Sequence, residues 1–441
     1  MPRLRFTLTF ALLPLPFLVA VNVRASAPAA KPVQLAELTP SVRGNNDWFG
    51  FSVAVSGNTV VVGAFDPNIE QFGTVYVYVK PPSGWVNMTQ VATLTSSDDG
   101  QGFGTSVAIS GNTIVVGAAD ISNFDPQVAS PGAAYVFVEP SGGWVNMTES
   151  AKLTASDGQS GDAFGDSVGI SGGTIGVGAF FAEDNSGNDF AGKAYVFSKP
   201  AGGWSGNLNE TAALTATDSE LLNYMGASIA VTPTTVVAGA YGHNNFQGAA
   251  YVFVAPNGQW TSMTQTAELT ASDGKSSADF GFSSATNGKT VVEGAVNAAS
   301  GKGAAYVFEE PASGWVNMTQ TAELRAPNAI QGDGFGQSAA INAKGTYIAI
   351  GAPSATVGEN ELQGAAYIFK KAPAGWHNSS RASELASSDG AANDGFGISI
   401  SLSGSTAADA SLVGGAVKSG PPGSAYVFGV APTASERRDR H

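Results

Sequence analysis

Apolar and polar positions alternate along this chain in short runs. "SVAVSG" from Ser52 and "SVAISG" from Ser106 place apolar side chains at every second position, and "TVVVGA" from Thr59 and "TIVVGA" from Thr113 follow as near-continuous apolar runs. Alternation with a period of two describes a half-buried strand, and a short apolar run between turn residues describes a strand buried on both faces. A third run is aromatic, as in "AAYVF" at Ala133 to Phe137, and a fourth alternates again in "QTAELT" at Gln265 to Thr270. β-Branched and aromatic residues between Gly, Asn, Ser and Pro turns therefore predict four strands per unit.

The unit recurs. "FG" opens copies at Phe49, Phe103, Phe164, Phe280, Phe335 and Phe396, with Met225 standing in once, so there are seven copies at a period of roughly 55 to 60 residues. Each carries an aromatic segment centred on Tyr76, Tyr135, Tyr195, Tyr251, Tyr306, Tyr367 or Tyr426, and six go on to Trp85, Trp144, Trp204, Trp260, Trp315 and Trp376. Four strands per copy at this period predict an all-β fold, a single seven-bladed β-propeller of four-stranded antiparallel blades, because radial closure leaves only short protected edges. The regular Trp, Tyr and Phe read as packing between blades, since a packing aromatic is needed in every blade and a binding aromatic once.

The two ends of the repeat complement each other. The last copy stops after "SAYVF" near Phe428 and lacks its Trp and "AEL" strand, while "QLAELT" at Gln34 to Thr39 matches "QTAELT". The N-terminal strand is thus expected to close the ring, with Leu38 and its counterparts Leu94, Leu153, Leu214, Leu269, Leu324 and Leu385 in the core. Ahead of it, Arg3 and Arg5 precede an apolar run from Phe6 to about Val21 and the small residues of "VRASAPAA", the pattern of a secretory signal peptide. That run is shorter than the ~20 residues a membrane span needs. The expected organisation is a signal peptide over 1–27, a linker over 28–33, the propeller over 34–430 and a disordered tail over 431–441. The mature chain is expected to be secreted or in the cell envelope, monomeric and without a membrane span.

The recurring "FGxSVAISGNTxVVGA" and "GAAYVF" resemble the FG-GAP repeat family, in the variant common in exported bacterial proteins and related to the seven-bladed propeller of integrin α subunits. The resemblance spans about residues 34 to 430. It implies an extracellular propeller for adhesion or recognition, with no shared catalytic site. Calcium-binding members carry a D-x-D-x-D-G loop between the first two strands. Here that turn is "SGNT" at Ser56 to Thr59 and Ser110 to Thr113, "SGGT" at Ser171 to Thr174 and "TPTT" at Thr232 to Thr235. Such tight turns cannot supply the six to eight oxygens calcium takes, so no metal and no cofactor is expected.

With 35 acidic and 21 basic residues the formal net charge is -14, which argues against nucleic acid, because phosphate binding needs clustered Lys and Arg. The absence of cysteine excludes disulfides and thiolate metal sites.

In a four-stranded meander the first and third turns share one face, and the variable loop and the interblade "SDG" loop share the other. Sequence variation is concentrated on the second face. Its candidate binding residues are Phe124 and Asp125 in "ADISNFDPQVASP", Phe181, Glu183, Asp184, Asp189 and Phe190 in "FFAEDNSGNDF", and Tyr241, His243 and Phe246 in "YGHNNFQ". Exposed loops that mix aromatics with carboxylates and amides are where binding resides. The expected partner is an extracellular protein or glycan.

Other features have structural readings. "EDNSGND" from Glu183 is the most calcium-like stretch but lacks the alternation of a calcium loop. Asp47, Asp162, Asp333 and Asp394 before "FG" fit an Asx turn opening the inner strand. Glu293 in "TVVEGA" replaces an apolar residue and is expected at a solvated or edge position. Of the sequons at Asn87, Asn146, Asn209, Asn317 and Asn378, four lie two residues after a Trp where another copy has Ser262, as a side-chain turn bond would require. His243, His377 and His441 form no H-E-x-x-H or nucleophile–base pattern, so a non-enzymatic protein is expected. The alternatives are a secreted carbohydrate-active enzyme using loop carboxylates and a purely structural envelope protein.

Overall fold

Each apolar run is a strand in a computed structural model of the chain, which describes residues 32–42, 48–65, 73–98, 100–119, 130–184, 187–404, 411–417 and 423–429. The segments assigned to signal peptide and tail lie outside the described residues, as does most of the linker. Seven sheets form, one per copy, and within each the strands follow chain order from the inside outward. Blade 1 is Trp48–Ser56, Thr59–Phe65, Thr74–Val79 and Ala92–Leu94. Blade 7 has three strands of its own, Ile400–Ser403, Ser411–Ala416 and Ser424–Gly429, and its outer strand is Val33–Thr39 from the other end of the chain. Leu38 lies opposite Ala425 in that antiparallel pair and is fully buried, so the predicted closure is the observed one. Val33, assigned to the linker, already belongs to this strand.

Four of the seven sheets gain a fifth, parallel strand that the sequence reading omits. Met88–Thr89 runs beside the outer strand of blade 7, and Met318–Thr319 does the same for blade 4. The residue two places after the Trp bonds the same outer-strand edge whether or not a fifth strand forms. Asn87 Oδ1 accepts from Glu37 N at 2.8 Å, Asn146 from Thr93 N at 2.9 Å, Asn317 from Glu268 N at 2.9 Å and Asn378 from Glu323 N at 2.9 Å. Ser262 Oγ accepts from Ala213 N in the same way. The expected local turn bond is therefore a bond between blades. It engages the open N–H edge of the neighbouring outer strand, which would otherwise be a template for aggregation.

The "FG" and "GA" words interlock the blades near the axis. The "FG" glycines have φ between 89 and 102°, as at Gly104 (91°) and Gly336 (102°), where an L side chain is strained. The carbonyl of each points at the "GA" glycine of the preceding blade. A Cβ on Gly117 would lie 1.9 Å from Gly165 O, and one on Gly415 1.8 Å from Gly50 O across the closing interface. The Ser of "FGxS" completes the contact, with Ser52 Oγ donating to Gly104 O and Ser106 Oγ to Gly165 O at 2.8 Å. Outside this ring the cores are interfacial. One cluster joins Val237, Val252 and Leu269 of blade 4 to Phe280, Tyr306, Phe308 and Trp315 of blade 5.

Glu293 contradicts its expected place. It is fully buried on Thr290–Ala295, where Val62, Val116 and Val177 stand in blades 1 to 3. One neighbour has changed with it: Ser284, where Val53, Val107 and Val168 stand in blades 1 to 3, donates from Oγ to Glu293 Oε2 at 2.8 Å, and its Oγ lies 2.7 Å from Oγ of Ser228, the constant "FGxS" serine of blade 4. Burial pushes the carboxyl well above the usual glutamate range, and the Ser284 bond offsets this only in part. The folded state thus holds a proton that the unfolded chain releases above about pH 4.5, and stability falls as pH rises from there. Glu293→Val is expected to be more stable than the parent by about 1–3 kcal/mol at pH 8, with a smaller gap at pH 5. Urea unfolding at both pH values checks this, and a gap independent of pH would refute it.

Candidate functional site at the loop face and channel mouth

The inner strands carry a bulge directly after "FG": pairing shifts between Phe49 and Ser52, Phe103 and Ser106, and Phe280 and Ser283. A bulge re-aims the residue it contains. Here that residue is the variable one in "FGx". Phe51, Thr105, Asp166, Ala227, Phe282, Gln337 and Ile398, one from each blade, line the mouth of the central channel together with Phe180 and Tyr241, around a cavity of about 460 Å³. Sequence reasoning missed this ring, although a variable letter inside an invariant word was its signal. Asp166 is half-buried there, and desolvation pushes its carboxyl up to about 7.

From the mouth, aromatic rings continue across the loop face of blades 3 to 5. Phe180 and Phe181 centroids are 4.0 Å apart, Phe181 meets Phe190 edge-on at 5.3 Å, and Tyr224 lies 5.9 Å from Phe181 and stacks on Tyr241 at 5.1 Å. Tyr241 in turn is 6.2 Å from Phe246 and 5.7 Å from Phe282. All seven rings are half-buried, with one side toward solvent. Phe181 and Phe190 of one variable loop and Tyr241 and Phe246 of another are thus parts of one ridge, which Phe180, Tyr224 and Phe282, absent from the sequence candidates, complete. Burial, with the neighbouring Tyr224 and the Asp166 and Asp279 carboxylates, pushes the Tyr241 hydroxyl up to about 12.

The other candidates lie elsewhere. Phe124 and Asp125 fall outside the described residues. Glu183 and Asp189 are exposed on the blade 3 loop. Asp184 is buried and turned into that loop, where Oδ1 accepts from Asn188 N at 3.0 Å and Oδ2 from Asn188 Nδ2 at 2.9 Å. Its carboxylate staples the loop. The aspartates before "FG" also bond locally, but backward: Asp162 accepts from Gln159 N, Asp333 from Ile330 N and Asp394 from Ala391 N at 2.7–2.8 Å, which closes the interblade loop instead of opening the strand with an Asx turn.

His243 sits beside the ridge in a group that the sequence gives no sign of, although no metal ligand set was expected. Ligand atoms of Asp218, His243 and Glu268 lie within 4.8 Å of one another, from the interblade loop, the variable loop and the outer strand of blade 4. The corresponding places in other blades carry a repeated motif in which the third-strand Tyr donates to an interblade Asp. Tyr135 bonds Asp98 at 2.7 Å, Tyr195 bonds Asp157 at 2.8 Å and Tyr306 bonds Asp273 at 2.9 Å. Each of these aspartates has a basic partner, Lys152 at 2.6 Å, Lys193 at 2.8 Å and Arg325 at 3.7 Å. Burial opposes ionisation of Asp98, but the hydrogen bonds from Lys152 and Tyr135 outweigh it and hold the carboxyl below the usual range. In blade 4 the counterpart of Lys152 is Glu268. Its carboxyl is pushed up by burial and by the Asp218 charge, against the pull of His243.

The FG-GAP repeat model matches residues 32–78, 88–137, 147–197, 208–253, 263–308, 318–369 and 380–428. Each matched segment begins near the outer strand of one blade and ends on the third strand of the next, the same offset that leaves the N-terminal strand to close the ring. No curated protein matches the chain. Among solved structures it is similar to the WD40 domain of coronin from Toxoplasma gondii, with 8% sequence identity and a TM-score of 0.50 over 92% of this chain and 86% of that one. At that identity the likeness shows the propeller fold alone.

Proposed function

The chain belongs to the FG-GAP repeat family, and from this premise we propose that it is an exported, non-enzymatic binding module that holds an extracellular protein or glycan on its loop face. The aromatic ridge around the channel mouth is the observation that carries this reading. Half-exposed aromatic rings give large contact area at low entropic cost and are the residues that dominate binding energies. Three of the seven stand on left-handed backbone, Phe190 at φ 56°, Tyr224 at 57° and Phe246 at 61°. For bulky residues such conformations cost about 1–3 kcal/mol each and cluster at binding sites. Against catalysis, carboxylate-only hydrolysis needs two facing acids. Among the described residues, Asp166 is the one acid lining the mouth, Asp184 is held inside its loop, and the facing carboxylates of Asp218 and Glu268 stand away from the mouth with His243 beside them.

The test is capture on protein and glycan arrays by the purified chain. Phe181→Ser, Phe190→Ser, Tyr241→Ser and Phe246→Ser combined are expected to weaken the selected partner at least about 100-fold, since each decade corresponds to 1.4 kcal/mol and hot-spot aromatics exceed 2. Asn58→Ser with Asn112→Ser, on the opposite face, should leave affinity unchanged. The reverse ranking would place the binding surface on the wrong side of the disc.

A further inference from the structure

We infer that blade 4 carries a site for a borderline divalent metal cation of the Zn²⁺ class, with His243, Asp218 and Glu268 as its protein ligands. His243 Nε2 lies 3.9 Å from Asp218 Oδ2 and 3.9 Å from Glu268 Oε1. Ligand atoms around a tetrahedral Zn²⁺ with bonds of about 2.0–2.1 Å stand about 3.4 Å apart. Small rotations of the partly exposed Asp218 and Glu268 side chains close that difference.

The far side of the imidazole is already arranged. His243 Nδ1 is 3.1 Å from Asn223 Oδ1, and Asn223 is 1% exposed with its Nδ2 lacking a partner among the described residues. With the amide assigned this way, Nδ1–H donates to the Asn223 carbonyl and the Nε2 lone pair faces the two carboxylates. A second hydrogen bond fixing tautomer and ring orientation is what metal-binding histidines show. In this tautomer the Nε2 lone pair and the two carboxylates converge on one point, where a metal cation can bind all three.

The internal repeat supplies the independent argument. Blades 2, 3 and 5 neutralise the equivalent aspartate with Lys152, Lys193 or Arg325. Blade 5 has a carboxylate, Glu323, at the position of Glu268 but pairs it with Arg325, whereas in blade 4 Asp218 and Glu268 face His243, with no Lys or Arg paired to them among the described residues. One nitrogen and two carboxylate groups, with the fourth position left to water, suit Zn²⁺, whereas calcium takes six to eight oxygens. A metal there would tie the loop bearing Tyr241 and Phe246 to the outer strand of its own blade and to the loop from blade 3.

The experiment strips the purified chain with EDTA and titrates it with Zn²⁺ by calorimetry, and with Co²⁺ by visible absorption. One equivalent of Zn²⁺ and tetrahedral Co²⁺ bands are expected, with affinity at least tenfold lower in His243→Ala and in Glu268→Gln. Glu268→Lys copies the Asp98–Lys152 pair of blade 2, so it should keep the thermal stability of the metal-free parent and bind neither ion. No saturable binding by the parent, or undiminished binding by Glu268→Lys, would overturn the assignment.

Discussion

A chain lacking residues 32–40 melts on the order of 10 °C below the full chain and exposes apolar surface in blade 7. Removal of Val33–Thr39 deletes the buried Ala36 and Leu38 and uncovers the edge of Ser424–Gly429, where Tyr426 pairs with Glu37 and Ala425 with Leu38. Loss of a buried Leu side chain alone costs about 2–5 kcal/mol, and the unpaired backbone adds to it. The inner strands still meet across the same interface, through Val53 N to Ser399 Oγ at 3.0 Å and Val55 N to Ser401 Oγ at 3.1 Å, so the ring loosens instead of falling apart. Scanning calorimetry and a hydrophobic dye report both effects. An unchanged melting curve would mean that the N-terminal strand contributes no closure.

The second large effect is expected at a single methyl group. Gly117→Ala places a Cβ 1.9 Å from Gly165 O and 2.3 Å from Ser106 Oγ, between blades 2 and 3, where both neighbours are fixed by hydrogen bonds. Backbone must move to admit it, at a cost of about 3 kcal/mol or more. Gly142→Ala, in an exposed turn with nothing within 4 Å, is the matched control and should change stability by less than about 0.5 kcal/mol. Equal destabilisation by the two substitutions in urea would show that the axial glycines are not an interlock.

The parts of this molecule that repeat were legible in its sequence, because packing imposes the same demand on every blade. Phe103, Tyr135, Phe137 and Trp144 serve one interface and Phe280, Tyr306, Phe308 and Trp315 serve another, so their spacing announces both strand and core. What was not legible is what one blade does alone. The sequence points Glu293 to a solvated or edge position because a lone carboxylate in a Val position is costly to bury. Its accommodation depends on Ser284 in its own blade and Ser228 in the preceding one. His243 meets Asp218 and Glu268 through loop closure and blade packing, which sequence spacing does not encode. The ridge was half visible. Its loop aromatics stood out, but Tyr224 hides next to the Met225 that replaces Phe in "FG", and Phe282 hides in the variable letter of the motif.

The claim that the loop face is the binding surface is tested most directly by hydroxyl-radical footprinting of the chain with and without its captured partner. Protection is predicted at Phe181, Phe190, Tyr224, Tyr241, Phe246 and Phe282, with unchanged oxidation at Val86, Val145 and Val316, the exposed valines that follow the blade tryptophans. Protection of those valines with the ridge still open to oxidation would contradict the account.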